Sequence, residues 1–458
     1  MADQHSVAKA ISAAKQFDRN LNPKLHLKLW LDDYDSDQGW QIELSNVADF
    51  RLRESMFLKL PYGQLQFIDD GSYAESNMFS PGRLLYVGFE YSSIEEGATD
   101  DSISVGRYRI SGVKILNRGK SDKIYTVTFI YDALALFNTV PVFPKGDEIN
   151  RSTDVISKIC ADAGLAFYTR TTTQDMMYWL NPGMTSYDFL NFVLDHSYIG
   201  QDDAGMFWVS KDGEAVFAGL RDTIANGIPF FFQSGSKNVQ DSTKHLIFND
   251  IYNDDIETMS DRELLSKYQN RCYILMTTDQ RNNDSWTNSV SGNSTLVSYY
   301  DSNPSSNVIN SNSSDDIVKA ICDGVVTKKV TYSEILNGAP ANDYDYRDSV
   351  RETKFNGYSN PDLHKSWEYA PTQNKTIRTE FFANRHTITI NAGKQLNCFS
   401  EQDLRVGDVL DINFTTPSNE LSLIDNGKYI VHTIDWIFNA DSDLYMQLRV
   451  ASDTVHPE

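Results

Sequence analysis

The segment that decides the fold is RVGDVLDI at residues 405–412, because a similar segment, PGRLLYV at 81–87, lies near the other end of the chain. A hairpin follows each one. Its arms read GKYIVH (427–432) and LYMQL (444–448) in the C-terminal copy, and YRISGV (108–113) and YTVTF (125–129) in the N-terminal copy. A glycine turn, a strand and a hairpin with alternating apolar and polar residues are typical of half-buried antiparallel sheets. The two copies predict a mainly β chain with two similar antiparallel β-barrels.

Composition and charge exclude several classes of protein. The chain has 458 residues and a net charge of −22, which argues against nucleic-acid binding because phosphates need a basic face. The same charge argues against docking on an anionic membrane. The four cysteines (Cys160, Cys272, Cys322, Cys398) are far apart and form neither a disulfide framework nor a zinc site. With no apolar run of roughly 18 residues, we expect a protein that folds in a cytoplasm.

Turns and changes of pattern divide the chain into five parts. We expect an N-terminal arm with a short helix, a first barrel, a small α/β domain, an irregular polar insertion or connecting domain, and a second barrel completed by strands from 226–250. These parts cover residues 1–23, 24–145, 146–225, 226–380 and 381–458. In the first barrel, apolar alternation predicts strands at 25–31, 40–44, 57–60, 65–68, 84–91, 107–116 and 125–131.

The small α/β domain has clear helix signals. Ser152 or Thr153 can cap a first helix, and Gly164 can close it in a left-handed conformation. Thr185 begins a second helix with Asp188 as its capping partner three residues on. A hairpin follows, and the dipeptide Asp212-Gly213 forms its turn.

The candidate chemical motifs favour plain turns. Asp33, Asp35 and Asp37 alternate as in a calcium loop, but Gly39 falls one place late and Glu43 one place early, so a hairpin turn is the better interpretation. The segment GKS at 119–121 lies between two strands rather than before a helix and is also read as a turn. No histidine pair has metal spacing and no serine lies in a GxSxG elbow. We therefore predict no catalytic, cofactor-binding or metal-binding residues.

Three stretches resemble a known family. They are residues 152–165, residues 185–194 with 207–217, and residues 406–409 with 427–431. They are similar to the middle-domain helices, the hairpin and the closing barrel of the central baseplate hub of contractile phage tails, and of the hub part of the type VI secretion spike. The N-terminal barrel departs from the family at Arg83, where an acidic residue is usual.

This resemblance implies a structural virion protein without enzymatic activity. It implies two tail-tube-like barrels per chain, so that a homotrimer presents a pseudo-sixfold ring between the hexameric tail tube and the threefold spike. The implied partners are the tube protein, the spike or puncturing protein and the baseplate wedge proteins. Genomic DNA would pass through the channel without specific binding, and assembly would take place in the host cytoplasm.

Two alternatives stay open. The Asn- and Ser-rich stretch at 235–370 could be a carbohydrate-binding tip for the host surface, although it offers mainly Trp286 and the tyrosine pair at 299–300 as aromatic contacts. A cell-wall hydrolase has less support, since the acid pairs at 202–203 and 254–255 are more often solvated turn residues than catalytic pairs.

Overall fold

The computed structural model describes part of the chain, mostly in its first half and at its C-terminal end. The described residues are 24–34, 39–69, 78–92, 102–117, 123–138, 150–181, 183–199, 203–220, 222–223, 229–234, 245–248, 273–279, 294–301, 307–313, 350–357, 386–393, 404–413, 427–439 and 442–452. The predicted helix within residues 1–23 lies outside them. No helix in these ranges is long and apolar enough to cross a membrane.

The described residues are mainly β, as predicted. Two α-helices, α1 (Ser152–Asp162) and α2 (Ser186–His196), accompany the strands. The strands are β1 (Lys24–Leu31), β2 (Trp40–Ile42), β3 (Val47–Ser55), β4 (Tyr62–Asp69), β5 (Leu84–Ser92), β6 (Ser102–Asn117), β7 (Lys123–Tyr131), β8 (Asn150–Arg151), β9 (Ala166–Thr169), β10 (Met176–Met177), β11 (Gly205–Val209), β12 (Glu214–Gly219), β13 (Pro229–Ser234), β14 (His245–Phe248), β15 (Tyr273–Asp279), β16 (Ser294–Asp301), β17 (Asn307–Ser313), β18 (Val350–Gly357), β19 (His386–Gly393), β20 (Val409–Asn413), β21 (Gly427–Asn439) and β22 (Ser442–Ser452).

Fourteen strands form one sheet that contains both copies of the repeated pattern. The N-terminal repeat is the run β5-β6-β7-β4-β3, and the C-terminal repeat is the run β20-β21-β22-β19-β15. The two repeats join where β3 pairs with β21. None of the described sheets closes into a barrel, so the prediction of two barrels per chain is not confirmed. A single hydrophobic core contains residues of both repeats, among them Phe89, Phe129, Trp436 and Leu448.

The two repeats share their backbone details. Gly82 and Gly407 both have positive φ, 90° and 94°, which glycine adopts without the steric cost of a side chain. The Gly82 N–H donates to the carbonyl of Ile110 at 2.7 Å, and the Gly407 N–H donates to that of Val431 at 2.8 Å. A β-bulge follows directly after Ile110 in β6 and after Val431 in β21. The repeat seen in the sequence is thus a repeat of turn, register and bulge.

Two strand predictions in the N-terminal repeat differ from the structure. The predicted strand at 57–60 is a turn, because the Leu58 N–H donates back to the carbonyl of Ser55 at 3.1 Å and Phe57 is half exposed. The strand β3, directly before this turn, was not predicted. Its side chains alternate Phe50 and Leu52 on the core face with charged residues on the other face.

The middle of the chain carries the two helices over a second hydrophobic core, as the sequence predicts. Thr185 caps α2 by accepting the Asp188 N–H at 3.1 Å, and Gly164 ends the α1 segment at a φ of 73°. The cap of α1 is a correction. The side chains of Ser152 and Thr153 do not cap it; instead Asp175, from a later segment, accepts both the N–H and the hydroxyl of Ser152.

The segment 226–380 contributes strands to two sheets. Strand β13 pairs with β14 and β20, and β15 pairs with β19. These pairings place β13, β14 and β15 in the large sheet. Strands β16, β17 and β18 form a separate three-stranded sheet. The strands of this second sheet are rich in polar residues and carry a weak sequence signal, so the sequence predicts an irregular segment there. The predicted helix at 315–322 lies outside the described residues.

Candidate functional site: the seam between the two repeats

The seam is the antiparallel pairing of β3 with β21. Its register runs from Ser55 opposite Thr433 to Asp49 opposite Asn439. An ion pair crosses it in the middle, where Arg53 donates to the two carboxylate oxygens of Asp435 at 2.5 and 2.9 Å. Such bidentate pairs combine charge with fixed geometry. The side chain of Asp435 is only 7% exposed, so the pair fixes the register of the two repeats from a largely buried position.

Neighbouring polar groups extend this contact. Arg449 on β22 lies 3.4 Å from Asp435, so the carboxylate faces two guanidinium groups. The hydroxyls of Ser55 and Thr433 are 2.8 Å apart, and the Met56 N–H donates to the carbonyl of His432 at 2.9 Å. Burial lowers the pKa of His432 to about 3, and the positive charge of Arg449 acts in the same direction. His432 is therefore neutral in the folded protein over the physiological pH range.

The opposite face of the seam buries a carboxyl group. Glu54 is 5% exposed and accepts a hydrogen bond from the Trp436 indole N–H at 3.1 Å. Burial raises the pKa of Glu54, and the nearby Lys211 opposes this rise. The lysine and the indole N–H offset the free-energy cost of burying this carboxyl group.

Lys211 comes from the tip of the β11–β12 hairpin, within the α/β segment at residues 146–225 that we call the middle domain. Its ammonium lies 5.3 Å from the ring centre of Trp436 and 5.8 Å from that of Phe89, within cation–π range of both. The Tyr108 hydroxyl donates to the Lys211 carbonyl at 3.0 Å, and both groups are buried. One lysine thus touches the N-terminal repeat through Phe89 and Tyr108, and the C-terminal repeat through Trp436.

The rest of the hairpin tip fits closely against the N-terminal repeat. The Ser104 hydroxyl donates to the Asp212 carboxylate, and the Tyr131 hydroxyl donates to the Asp212 carbonyl at 3.4 Å. Gly213 has a φ of 87°, and a Cβ there would lie 2.5 Å from the ring Cζ of Tyr131. The hairpin tip, residues 211–213, is therefore a wedge that joins the middle domain to both repeats.

The ionisable groups around the seam contact one another or aromatic rings. Among the described residues, no group of histidine, cysteine, aspartate and glutamate side chains could hold a metal ion. The sequence did not predict this site. Its one local signal was a glutamate on the apolar face of the Phe50–Leu52 alternation.

The residues that the sequence singled out lie elsewhere. Arg83, which departs from the family pattern, donates to the Asp32 carboxylate at 2.6 and 2.9 Å within the chain. This hydrogen bonding lowers the pKa of Asp32. Of the aspartates considered for calcium, Asp33 lies in the turn after β1, and Asp35 and Asp37 are outside the described residues, as is the GKS segment at 119–121. Cys160 is a buried free thiol.

The comparisons with known proteins gave solved structures only. No family model and no curated protein matches the chain. A tail protein of prophage MuSo2 from Shewanella oneidensis has 9% identity and a TM-score of 0.49, covering 94% of this chain and 98% of that one. A tail protein from Neisseria meningitidis has 10% identity and a TM-score of 0.49, covering 95% and 100%. A type VI secretion component from E. coli has 9% identity and a TM-score of 0.40, covering 94% and 77%. These neighbours are phage tail and type VI secretion proteins, as the sequence resemblance predicts.

Proposed function

We propose that this chain is the hub of a contractile phage tail, a homotrimer that joins the hexameric tail tube to the threefold spike. It has no enzymatic activity of its own in this proposal. The observation that carries it is the seam, because it joins two similar units within one chain through different strands. The N-terminal repeat uses β3, the last strand of its run, and the C-terminal repeat uses β21, the second strand of its run.

A contact of this kind is head-to-tail. Head-to-tail contacts between equivalent units build rings when the rotation closes and open helices when it does not. Three chains with two repeats each supply six units, which is the number needed to match a hexameric tube on one side and a threefold spike on the other. In the assembled ring each repeat serves as one tube-like barrel unit, at 24–145 and at 381–458 with strands from 226–250, and the domain at 146–225 packs outside.

The net charge supports a channel through which DNA passes without binding. Three copies carry three times −22, or −66, and like charge in the lumen repels phosphates. We expect no retention of duplex DNA by the purified protein at low salt in a gel-shift assay. Binding that weakens steeply with added salt, as phosphate contacts do, would count against this function.

The partners in this proposal are the tube protein, the spike protein and the wedge proteins of the baseplate, and the location is the virion, after assembly in the host cytoplasm. Light scattering on the purified full chain, alone and with its spike partner, tests the oligomer. The expected mass of the hub is three times 52.0 kDa, about 156 kDa. A monomer under both conditions would refute the proposal, and cleavage of peptidoglycan in a zymogram would favour a hydrolase instead.

A further inference from the structure

The N-terminal repeat has an open strand edge. Strand β5 pairs with β6 only along residues 102–109, while β7 occupies the opposite edge of β6 along 108–117. No described strand pairs with the β5-side edge of residues 111–117. A row of backbone N–H and C=O groups at such an edge is a template for a further strand.

The same edge in the C-terminal repeat is occupied. Strand β21 pairs with β20 along 427–430, and β3 takes the rest of that edge along 433–439. The equivalence of the two strands is set by the glycine turns and bulges, which match Ile110 with Val431 and Gly112 with Thr433. In other words, the in-chain seam shows what fills this edge when a partner strand is present.

Side-chain exposure agrees with an empty edge in the N-terminal repeat. At two equivalent positions, Trp436 and Ile437 in β21 are 2% and 5% exposed. Their counterparts in β6, Ile115 and Leu116, are 57% and 63% exposed. Two adjacent strand residues point to opposite faces, so this end of β6 presents apolar side chains to solvent on both faces, as expected of a strand that lacks its neighbour.

The strand that fills the edge can be identified from the same symmetry. The counterpart of β3 in the C-terminal repeat is β15, since β3 pairs with β4 as β15 pairs with β19. Among the described strands, β15 pairs only with β19 and leaves its other edge free. We propose that the edge at residues 111–117 of one chain pairs antiparallel with β15 of a second copy of this chain.

The register follows from the in-chain seam. Gln64 and Thr389 are equivalent, because they pair with the residues Thr128 and Arg449 that lie opposite Gly112 and Thr433. Arg51 lies opposite Gln64, and Met276 lies opposite Thr389. Arg51 also faces Ile437 across the seam. The equivalent pair between chains is therefore Leu116 opposite Met276, and two residues further along Lys114 stands opposite Thr278.

This inference rests on the proposed function and makes it specific. A ring of six repeats needs six seams, of which three lie within chains and three lie between them. The seams between chains join β6 of one copy to β15 of the next, so the contact is again head-to-tail and the ring of repeats closes. Backbone pairing of this type is β-strand addition between identical partners.

Cysteine cross-linking of the full-length protein tests the register. Facing residues of an antiparallel pair have Cα atoms at about 4.5–5.5 Å, within the range for a disulfide. Lys114→Cys with Thr278→Cys should give disulfide-linked dimers and trimers on non-reducing gels after mild oxidation. The matched control is Lys114→Cys with Thr277→Cys, because a shift of one residue puts the two thiols on opposite faces. The two single variants Lys114→Cys and Thr278→Cys control for reaction with native cysteines.

A second variant tests the edge without thiols. Ile115→Asp with Leu116→Asp changes two exposed side chains and should leave the fold intact while the trimer mass falls to that of the monomer. Leu180→Asp, at a residue 55% exposed in the middle domain, should keep the trimer.

The outcomes separate the two proposals. Cross-linking in the stated register together with trimer mass supports the seam between chains. A trimer that cross-links in neither register, or that survives the double aspartate change, overturns this seam and leaves the hub standing. A wild-type chain that stays monomeric alone and with its spike overturns both.

Discussion

Replacement of Gly213 by alanine tests whether the hairpin tip is a close-fitting wedge. The left-handed backbone at this position costs an L-residue about 1–2 kcal/mol. The added Cβ would in addition overlap Tyr131, at 2.5 Å from its ring Cζ, and displacing a packed ring costs about 1–3 kcal/mol. We therefore expect Gly213→Ala to lower the free energy of unfolding by about 2–5 kcal/mol, the sum of these two effects.

Gly164→Ala is the matched control. Gly164 has a similar φ of 73° and belongs to the same middle domain, but no atom lies within 4 Å of an added Cβ. It should lose only the backbone share, about 1–2 kcal/mol. The assay is urea unfolding of both variants, followed by tryptophan fluorescence and circular dichroism. Equal losses for the two variants would refute the wedge, because the contact with Tyr131 would then contribute nothing.

Three further predictions concern the seam and the core. Asp435→Asn should cost about 1–3 kcal/mol in urea unfolding because it leaves the guanidinium of Arg53 without its anion. Asp49→Asn removes the partner of Arg51, whose side chain is 65% exposed, and should cost less than about 0.5 kcal/mol. Equal effects would contradict a special role for the buried carboxylate of Asp435. His432 takes up a proton near pH 6.5 in the unfolded chain but only near pH 3 in the folded chain. The free energy of unfolding should therefore fall as the pH drops through that window, by up to about 1.4 kcal/mol per pH unit. His432→Gln should flatten this dependence of stability on pH, and an unchanged dependence would show that other groups cause it. Burial raises the pKa of the Cys160 thiol to about 12, so this thiol should not react with a thiol reagent at pH 8 in the folded protein. Cys160→Ser should therefore leave the number of reactive thiols in the folded protein unchanged and lower the number in urea by one. A lower number in the folded protein would show that the Cys160 thiol is accessible.

The repeat and the middle domain could be predicted because their signals are local. Gly82 and Gly407 mark turns that need positive φ, and the following strands alternate in a pattern that a single sheet face imposes. The Thr185 hydroxyl accepts the Asp188 N–H and donates to the Asp188 carboxylate, so the start of α2 is visible in four residues. Such features depend on neighbours along the chain and need no knowledge of the tertiary structure.

The seam could not be predicted because its partners are remote. Arg53 and Asp435 are 382 positions apart, and each by itself reads as a solvent-exposed charge. The charges in β3 concealed a strand, since strands favour uncharged β-branched and aromatic residues. Burial of Glu54 depends on Lys211 and Trp436 arriving from two other parts of the chain. Each repeat taken alone predicts a closed barrel of its own, whereas the structure joins the strands of both repeats in one sheet.

In the proposed ring, a seam within each chain also restricts the number of repeats that can assemble. Since the repeats arrive in covalently linked pairs, a closed ring holds an even number of them, and rings with one repeat too few or too many cannot form. The nearest errors in size would need a whole chain to be lost or gained, with a large change in the angle at every joint. Half of the joints in the proposed ring would be made by tethered partners, whose effective concentration does not fall when the protein is dilute. In the proposed ring, covalent duplication would therefore set the number of repeats before any partner binds.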